Sequence, residues 1–561
     1  MRLITVTKCL TIGLLASLFA ACNPWDEHVK VNNSNLDASV IDVLKQQADL
    51  STFVQVLEKT GYDSVIINAQ SYTIFAPTNG AWTGIDLNNI ELLRGYVKNC
   101  VAFQSFPIVS DAFAVSKIKM LNGKWLPTAG NSIDGIAVGE HNILAANGVI
   151  HKTASLLVPK MNIWEYLNQD AFKDYPQVKF LKSQTDSVMD MDLSYQLGLD
   201  RNGRPIYDTA WVQRNEWLSR YGINKEDSTY SFLILDESTF ERMKLKYKPY
   251  FTVNRTTYDP VLLAYLSDLD PVATDLQVTR EISRDMILLP VNIANGDTVL
   301  SVDGVKVIIP PSSIDVDYTA SNGKVYEIGN VDVKMYQNKV KEIRIEAENY
   351  VGATMPYSTI SKRMYSWASG GYDIVVSGRN VVGANSYWAY ATTGTTNTPT
   401  LYCTNVNNAA LKYTPTLNSV PYKVYWKSYD NLASHIAANL LISQKLFFSN
   451  PGAPALTHSS TLLSYNFNDT IVFIGQNVAG NNVETQLHMW KTITTPAATK
   501  NLRIASSQLL SHPEYVVDQL PCTSFGTASL WVSNSALEVG TTGGSIFLDY
   551  IRLVPVIDPG Q

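Results

Sequence analysis

A short pattern that occurs twice constrains the fold of this chain more than any other feature of its sequence. The first copy covers residues 72–82 and is followed by Asn-Gly at 147–148, and the second covers residues 230–240 and is followed by Asn-Gly at 322–323. Each copy predicts a strand buried on both faces, then a helix with an aromatic residue in its first turns. The Asn-Gly pairs predict turns with positive φ between strands. The repetition predicts two related α+β modules.

Local chemistry sets where each strand ends and each helix begins. Pro77 cannot donate to a β ladder, so the first strand ends there, and the hydroxyl of Thr78 can cap the helix that follows. Asp236 takes this place in the second copy, but Ser238 and Glu241 have the capping-box spacing, so that helix could begin at either position. The aromatic residues expected to turn inward and hold each helix against its sheet are Trp82 and Phe240.

Two blocks of the first copy resemble the fasciclin (FAS1) family. They are residues 73–82 and residues 146–151, and they occur in the order that the family has. In the second copy, Leu235 stands where the family has a proline and Tyr326 where it has a histidine, so we interpret this copy as a diverged fasciclin domain. The resemblance implies adhesion and interaction modules rather than enzymes.

One segment departs from the fasciclin pattern. Residues 92–100 cover the stretch in which the family commonly carries a Tyr-His or Asn-His pair, and Cys100 stands in the place of that histidine. The stretch is associated with cell-adhesion contacts in animal relatives, so the departure weakens the transfer of that role. His151, at the end of the second block, is interpreted as a structural histidine rather than as a ligand.

Length, composition and net charge limit the number of domains and the classes of partner that this chain can have. A chain of 561 residues is too long for one hydrophobic core and predicts several domains. Charged residues make up only 17% of the sequence, whereas tyrosine and tryptophan are plentiful, which is typical of a strand-rich extracellular protein. The net charge is −6 without a basic stretch, so nucleic-acid binding is not expected.

The N-terminus predicts where the protein resides. Residues 1–21 have a positive start and an apolar run too short to span a bilayer, and they end in Ala-Ala before Cys22. This resembles a bacterial lipoprotein signal in which Cys22 is acylated, and plain secretory cleavage is the alternative. Residues 22–36 form a polar tether that resembles those of surface lipoproteins in Bacteroidetes-like bacteria. We therefore expect an outer-membrane protein, exposed at the cell surface and anchored by lipid.

The rest of the chain divides into three predicted domains. The first fasciclin domain covers residues 37–160, and the second covers 161–336 with an insertion at about 186–228. Asp200 and Asn202 in this insertion have the spacing of the start of a calcium loop, but the remaining ligands are absent, so we predict a simple turn. The insertion is a candidate contact surface, since loops carry function more often than cores do.

The third domain, residues 341–561, has a different character. Residues 341–350 alternate polar and apolar side chains, and residues 545–553 predict another strand. These two ends resemble the first and last strands of galactose-binding-like β-sandwiches, such as family-6 carbohydrate-binding modules. The fold class is therefore multidomain, with two α+β fasciclin domains followed by an all-β jelly-roll sandwich.

The sandwich resemblance implies two sites. Terminal strands of such modules can hold a structural calcium ion. Here Glu346 and Glu348 are expected to project from the same strand face, where Asp549 could approach them; the alternative is a solvated strand face. Aromatic faces stack on sugar rings, although such residues are more often buried core. The candidate sugar-binding residues are Tyr372, Tyr387, Trp388, Trp426 and Trp490.

The cysteines leave two readings open. Cys403 and Cys522 both lie in the last domain and could form a disulfide in an oxidising compartment. Alternatively, they and Cys100 are buried thiols.

No catalytic site is predicted. The sequence has no nucleophile elbow, phosphate loop or zinc-binding helix motif, and its seven histidines show no ligand spacing. Apart from structural calcium, no cofactor is expected. We predict a non-catalytic outer-membrane surface lipoprotein that serves as a binding or accessory component of a SusC/SusD-type glycan or nutrient uptake system. The alternative is an adhesion or scaffold protein that recognises another protein.

Overall fold

The structure is a computed structural model of the chain. It describes residues 34–66, 71–259, 264–353, 360–364, 372–376, 388–393, 398–403, 410–427, 441–453, 457–458, 471–476, 482–496, 515–534, 546–548 and 550–557. These residues form two compact units. Unit 1 contains the described residues up to Asn168 together with Arg220–Thr229 and Thr319–Gly323, and unit 2 contains the others.

Among the described residues, every α-helix lies before residue 286. The α-helices are Val40–Lys45 (α1), Ser51–Thr60 (α2), Tyr62–Val65 (α3), Ile90–Cys100 (α4), Ile163–Leu167 (α5), Pro176–Ser183 (α6), Glu216–Tyr221 (α7), Glu237–Tyr247 (α8) and Pro271–Asp285 (α9). Short 3-10 turns occupy Ser34–Asp37, Ala48–Leu50, Asn79–Trp82, Asp170–Phe172, Lys248–Tyr250 and Ala347–Asn349, and Met335–Lys339 is a π-type turn. None of these helices is long and apolar enough to cross a membrane.

The strands of unit 1 build a four-stranded sheet and several short hairpins. They are Tyr72–Pro77 (β1), Val101–Phe103 (β2), Ile108–Val109 (β3), Ala112–Phe113 (β4), Lys117–Lys119 (β5), Trp125–Ala129 (β6), Ser132–Ile133 (β7), Ile136–Ala137 (β8), Ile143–Ala145 (β9) and Gly148–Thr153 (β10). The main sheet has the order β2-β1-β10-β9, in which β1 and β10 run parallel with Tyr72 opposite Gly148. As predicted, β1 is buried along its whole length and ends at Pro77.

The helices of unit 1 cover this sheet with their apolar faces. Helix α2 buries Phe53, Val56 and Leu57, which the spacing of three and four residues brings to one side. The helix ends at Gly61, whose φ of +79° suits the left-handed C-cap. Trp82 turns inward as predicted, and its ring stacks on Phe53 with centroids 6.2 Å apart.

The turn after β1 is capped in an unexpected way. Thr78 occupies the N-cap position, but its hydroxyl makes no capping hydrogen bond, so the predicted role of that hydroxyl is wrong. The neighbouring Asn79 instead accepts a hydrogen bond of 2.9 Å from the backbone nitrogen of Thr52 and donates one of 3.0 Å to the carbonyl of Ala48. Asn79 therefore ties this turn to the start of α2.

The first sheet of unit 2 repeats the strand order of the main sheet in unit 1. Its strands are Tyr230–Leu235 (β13), Ile287–Leu288 (β16), Ile314–Ala320 (β19) and Gly323–Ile328 (β20), in the order β16-β13-β20-β19. Strands β1 and β13, which carry the two copies of the sequence pattern, thus take equivalent places in their sheets. Of the two start positions that the sequence left open, Asp236 is the one that caps α8, because its Oδ1 accepts a 2.6 Å hydrogen bond from the nitrogen of Thr239. Phe240 in this helix is buried.

Two hairpins and a small sheet complete this part of unit 2. Strands Thr185–Leu199 (β11) and Pro205–Asn215 (β12) form the first hairpin, which lies within the predicted insertion. Strands Asn254–Asp259 (β14) and Ala264–Leu269 (β15) form the second. The small sheet consists of Thr298–Leu300 (β17), Lys306–Ile308 (β18) and Asp332–Val333 (β21).

All described residues from 343 onward are strands, turns and connections, apart from the 3-10 turn at Ala347–Asn349. The strands are Ile343–Glu346 (β22), Gly352–Ala353 (β23), Ile360–Met364 (β24), Tyr372–Val376 (β25), Trp388–Thr393 (β26), Thr398–Cys403 (β27), Ala410–Tyr413 (β28), Thr416–Leu417 (β29), Tyr422–Lys427 (β30), Leu441–Ser449 (β31), Thr457–His458 (β32), Ile471–Gln476 (β33), Asn482–Pro496 (β34), Tyr515–Leu520 (β35), Gly526–Thr527 (β36), Ser529–Asn534 (β37), Ile546–Leu548 (β38) and Tyr550–Pro555 (β39). The largest sheet has the order β23-β28-β37-β31-β34-β33. A second sheet, β22-β39-β30-β35, pairs the first and last strands with Ile345 opposite Ile551, so the two predicted terminal strands do lie together.

Unit 2 has one hydrophobic core that continues from its α+β part into its β-rich part. Phe251 and Phe525 meet with ring centroids 5.2 Å apart, and the nitrogen of Phe525 donates a 2.6 Å hydrogen bond to the carbonyl of Thr252. The carbonyl of Tyr250 also accepts a hydrogen bond from the nitrogen of Ser419. These contacts fix the β-rich part against the segment that follows α8.

Candidate interaction surfaces

One of the predicted sugar-binding aromatics is in the core. Trp426 lies on the inner strand β30, where residues 422, 424 and 426 are buried in alternation, and none of its side chain is exposed. Its Nε1 has no hydrogen-bond partner among the described residues. A ring without exposed surface cannot stack on a sugar, so the prediction for Trp426 is wrong.

The other four candidate aromatics stay predictions. Tyr372, Trp388 and Trp490 lie on β25, β26 and β34. The structure describes the backbone of these strands there, but not those side chains, and Tyr387 lies outside the described residues.

The predicted calcium ligands do not share one strand. Strand β22 ends at Glu346, and Glu348 belongs to the 3-10 turn that follows, so the expected placement on one strand face is wrong. The Oε1 of Glu346 lies 2.6 Å from the Nε of Arg344 in an ion pair. Asp549 lies outside the described residues, and among those described no group of three acidic, histidine or cysteine side chains could hold a metal ion. The calcium site therefore stays a prediction.

The cysteine side chains that are described carry free thiols. Cys522 is buried and unpaired, so the predicted disulfide with Cys403 is wrong and the alternative reading holds for Cys522. Its Sγ donates a 3.3 Å hydrogen bond to the carbonyl of Ser524, and burial raises its pKa to about 12. Cys100 is also buried, with its pKa raised to about 12 for the same reason. The side chain of Cys403 and the predicted lipidation site Cys22 lie outside the described residues.

His151 has the structural role that the sequence predicts. Its ring is buried and stacks on Phe75 with centroids 5.4 Å apart. Its Nε2 lies 3.0 Å from the carbonyl of Phe106, while its Nδ1 accepts a hydrogen bond from the nitrogen of Asn142. Burial lowers the pKa of His151 to about 4, so the ring is neutral at physiological pH. Both ring nitrogens are occupied by backbone groups, which leaves neither free for a ligand.

The tip of the β11–β12 hairpin is a turn, as predicted. The Oδ1 of Asp200 accepts hydrogen bonds of 2.8 Å from the nitrogens of Asn202 and Arg204, and Gly203 has a φ of +76°. This side chain therefore closes a turn instead of pointing at a metal ion. The hairpin behind the turn exposes several apolar side chains, which supports the expectation that the insertion is a contact surface.

A second surface with exposed apolar side chains was not predicted from the sequence. Helices α8 and α9 border a shallow cleft whose lining includes Leu245, Pro271 and Val278, and an ion pair between Lys244 and Asp275 joins the two helices. Leu245 is 75% exposed and Val272 is 79% exposed, and Leu276 lies one turn after Val272 on α9. We call Leu245, Val272 and Leu276 the helical patch. The signal that could have found it is a valine and a leucine at i and i+4, outside the buried stripe of α9.

A buried ionic cluster lies at the far end of α9. Lys339 is almost wholly buried, and its Nζ lies 2.8 Å from Glu281 and 2.5 Å from Asp285. The hydroxyl of Tyr247 donates a 2.6 Å hydrogen bond to Asp285, and the Lys339 ammonium lies 5.2 Å from the centre of the Tyr247 ring. Burial raises the pKa of Asp285, while the charge of Lys339 opposes that shift. Because these groups are closed to solvent, we interpret the cluster as structural.

Taken together, the described residues define a multidomain, β-rich protein whose N-terminal region is an α+β module. Residues 48–159 match the model of the fasciclin domain family, so this region has the FAS1 fold. The prediction of a fasciclin domain here is confirmed.

Among curated proteins, the chain is 25% identical over 177 residues to transforming growth factor-beta-induced protein ig-h3 of Sus scrofa, which covers 29% of this chain and 26% of that protein. It is 26% identical over 171 residues to periostin of Homo sapiens, covering 27% of this chain and 20% of that one. The chain thus spans about a quarter or less of the length of these curated relatives. Such fasciclin-domain relatives are not enzymes.

Among solved structures, a FAS1 domain pair from the insect cell adhesion molecule Fasciclin I is similar at 13% identity. The match covers 50% of this chain and 96% of that chain with a TM-score of 0.18. Because that score is low, the FAS1 assignment rests on the family model.

Proposed function

We propose that this protein is a non-catalytic component of the bacterial outer-membrane surface, anchored by acylation of Cys22, and that it acts by binding another protein. The fasciclin domain at residues 48–159 supports an interaction role. The leader and tether support the location.

The domain organisation belongs to the same proposal. We assign residues 161–336 to a second, diverged fasciclin domain because the sheet β16-β13-β20-β19 has the strand order of β2-β1-β10-β9. We assign residues 341–561 to a galactose-binding-like jelly-roll sandwich, supported by the pairing of β22 with β39.

The observation that carries the proposed function is the helical patch. Large apolar side chains that stay in water lose the free energy that burial would provide, about 25 cal/mol per Å² of apolar surface. Leu245, Val272 and Leu276 stand beside a cleft flanked by charged groups, among them Lys244 and Asp275. An apolar centre with a polar rim is the composition of protein interfaces. We therefore assign the patch as the docking surface.

The partner class that the N-terminus favours is a SusC/SusD-type transporter component. A lipid anchor at Cys22 followed by a short tether would hold the protein in the same membrane surface as such a transporter. The alternative is an adhesion or scaffold role towards another protein, which the fasciclin-domain relatives favour. A glycan site on Tyr372, Tyr387, Trp388 and Trp490, and structural calcium at Glu346, Glu348 and Asp549, are secondary proposals.

The experiment is co-purification from solubilised outer membranes with the tagged full chain. The double variant Val272→Glu/Leu276→Glu places two charges in the patch and is expected to lose the partner. The matched control is Leu289→Glu/Val291→Glu, which makes the same changes at two exposed apolar residues away from the cleft. The control is expected to retain the partner.

The identity of the captured protein decides between the partner classes. A SusC-like or SusD-like protein lost on patch substitution supports the uptake role, and a different surface protein supports adhesion. Equal capture by the patch variant and the wild type would overturn the patch as the docking surface. Glycan arrays with Trp388→Ala test the sugar site separately.

A further inference from the structure

Among the described residues, no third strand pairs with the β11–β12 hairpin. Its two strands form a two-stranded sheet, so each has an outer edge whose backbone groups are not paired with a neighbouring strand. Two-stranded ribbons alone are only marginally stable in water. This one also exposes six large apolar side chains: Leu193, Leu197, Leu199, Ile206, Trp211 and Val212. Such a ribbon is suited to add strands from a partner.

The two edges differ in how well they can pair. Strand β11 is interrupted twice, between Asp190 and Tyr195 and again between Gln196 and Gly198, where register shifts break the ladder. Strand β12 is interrupted only at Thr209, which the first of these shifts leaves without a partner on β11, and its single proline, Pro205, is its first residue. The outer edge of β12 is therefore the edge that can accept another strand.

The side chains of β12 are complementary to themselves. If two copies of β12 pair antiparallel about Trp211, then Asp208 of each copy lies opposite Arg214 of the other. In the same register Ala210 faces Val212, Thr209 faces Gln213, and the two Trp211 rings meet at the axis. Both charged residues lie on one face of the strand because they are an even number of positions apart. Opposite charges directly across a strand pair are stabilising and like charges are destabilising.

We propose that β12 is a self-association edge, through which two copies of this chain join their hairpins into one four-stranded antiparallel sheet centred on Trp211. Trp211 is 63% exposed in the single chain and becomes the centre of the interface. The pairing is isologous, since the same strand serves both copies. An anionic lipid surface is a poorer occupant, because the hairpin carries five aspartates against three arginines.

Cysteine cross-linking of the full lipid-anchored chain on intact cells tests the register. Trp211→Cys places two thiols directly opposite each other at the axis, and we expect a disulfide-linked dimer on a non-reducing gel. Thr209→Cys alone is expected to give no dimer, because residue 209 faces residue 213 of the other copy. The pair Thr209→Cys/Gln213→Cys is expected to restore the cross-link. The wild-type chain measures how much disulfide-linked dimer forms without an introduced cysteine.

A charge exchange tests the pairing itself. In the Trp211→Cys background, Asp208→Arg replaces both ion pairs by like charges and should lower the dimer yield several-fold. Asp208→Arg/Arg214→Asp exchanges the two charges and should restore it. Asp192→Arg, the same change on an exposed aspartate of β11, should leave the yield unchanged.

Three results would overturn the proposal. They are no Trp211→Cys dimer, a dimer formed equally well by Thr209→Cys, and an adduct whose mass is not twice that of the chain. The third would assign the edge to a different protein. The proposed docking function is tested independently, because substitutions in the helical patch are expected to leave this cross-link intact.

Discussion

The side chain of Asn147 accepts a 2.7 Å hydrogen bond from the backbone nitrogen of Val40, the first residue of α1. Asn322 has the equivalent contact: its Oδ1 accepts a 2.8 Å hydrogen bond from the nitrogen of Ile163, the first residue of α5. Both asparagines immediately precede a strand, β10 or β20. The two copies of the sequence pattern therefore use the same device to satisfy a helix N-terminus whose amides have no partner within the helix.

Removing this acceptor should loosen the start of α1. In Asn147→Ala the buried amide of Val40 loses its partner, which costs about 2 kcal/mol. Asn147→Asp retains an oxygen at the same place and should cost less. Hydrogen exchange of the amides in α1, followed by mass spectrometry, measures the change. Asn88→Ala, at an exposed loop residue, is the control, and protection in Asn147→Ala equal to that of the control would contradict the assigned role.

The buried neutral state of His151 predicts a pH dependence of stability. Its pKa is about 4 in the folded domain against an ordinary 6.5, so unfolded chains bind the proton more readily between these values. The stabilisation that neutral His151 provides is complete above pH 6.5 and is lost as the pH falls towards 4, by up to about 3 kcal/mol. Urea unfolding of the fasciclin domain at several pH values measures this slope.

Two variants separate His151 from other acid-sensitive groups. His151→Gln can still donate to the carbonyl of Phe106 but does not titrate, so the slope between pH 6.5 and 4 should flatten. His141→Gln should keep most of it. A wild-type slope that survives in His151→Gln would show that carboxylates, and not this histidine, set the acid sensitivity.

Local sequence rules predicted those features that depend on neighbouring residues. The end of β1 at Pro77, the cap at Asp236 and the inward positions of Trp82 and Phe240 all follow from residues within a few positions of each other. The prediction that Thr78 caps the helix was wrong because Asn79 makes the stabilising hydrogen bonds instead. The partners of Asn79 lie 27 to 31 residues away in the sequence. A capping rule considers only residues within one helical turn, so it cannot predict hydrogen bonds to residues this far away.

The Asn-Gly pair at 147–148 also shows that local sequence rules miss long-range contacts. A turn rule predicts positive φ there, but neither residue has it. The glycine is required for another reason: a Cβ at Gly148 would lie 2.3 Å from the carbonyl oxygen of Tyr72, on the parallel neighbour β1. The sequence analysis thus identified Gly148 correctly but gave the wrong reason for it. The parallel pairing of residues 76 positions apart leaves no local signal in the sequence. At the candidate sites, the burial of Trp426 and the exposure of the helical patch likewise depend on long-range packing.

That close approach gives a prediction for Gly148→Ala. The added methyl group meets backbone atoms that cannot rotate away, so β1 and β10 must separate locally. Overpacking of this kind costs about 1–3 kcal/mol, and a backbone clash belongs at the upper end. Thermal unfolding should show the fasciclin domain melting earlier. Gly80→Ala is the control, because nothing lies within 4 Å of a Cβ there. Equal melting of both variants would mean that β1 and β10 can shift without cost.

The buried free thiol of Cys522 is expected to react slowly with alkylating reagents in the folded protein. The thiolate is the reactive species, and a pKa raised to about 12 by burial leaves almost none at pH 8. Cys522 and Cys100 should both resist alkylation by iodoacetamide in the folded protein and react after unfolding in urea. Peptide mapping without reductant should find no Cys403–Cys522 cross-link. Detection of that cross-linked peptide in protein isolated from cells would restore the disulfide reading.

The buried ionic cluster should be sensitive to losing Lys339, the cation that contacts both of its carboxylates, whereas Arg284 pairs only with Glu281 of the two. Lys339→Met leaves the carboxylates of Glu281 and Asp285 buried without the ammonium group that lies between 2.5 and 2.8 Å from them. Removing one partner of a buried ion pair costs about 3–5 kcal/mol, because the remaining charge keeps its desolvation penalty. Hydrogen exchange across α9 measures the loss. Lys246→Met is the control, since its ion pair with Asp332 is partly exposed and should be worth about 1 kcal/mol or less.

A compensated variant shows whether charge or packing is responsible. Lys339→Met combined with Glu281→Gln and Asp285→Asn removes the charges of these three residues and keeps similar side-chain volumes, while Arg284 retains its ion pair with Asp303. If uncompensated charge causes the loss, this triple variant should recover most of the protection of α9, since an ion pair replaced by neutral groups of similar shape is often nearly neutral in stability. The Lys339 ammonium also lies 5.2 Å from the centres of the Tyr247 and Phe251 rings, and the methionine side chain, of similar length, can still reach them. A triple variant as unstable as Lys339→Met alone would show that the cluster stabilises unit 2 through its hydrogen-bond geometry instead of its charge balance.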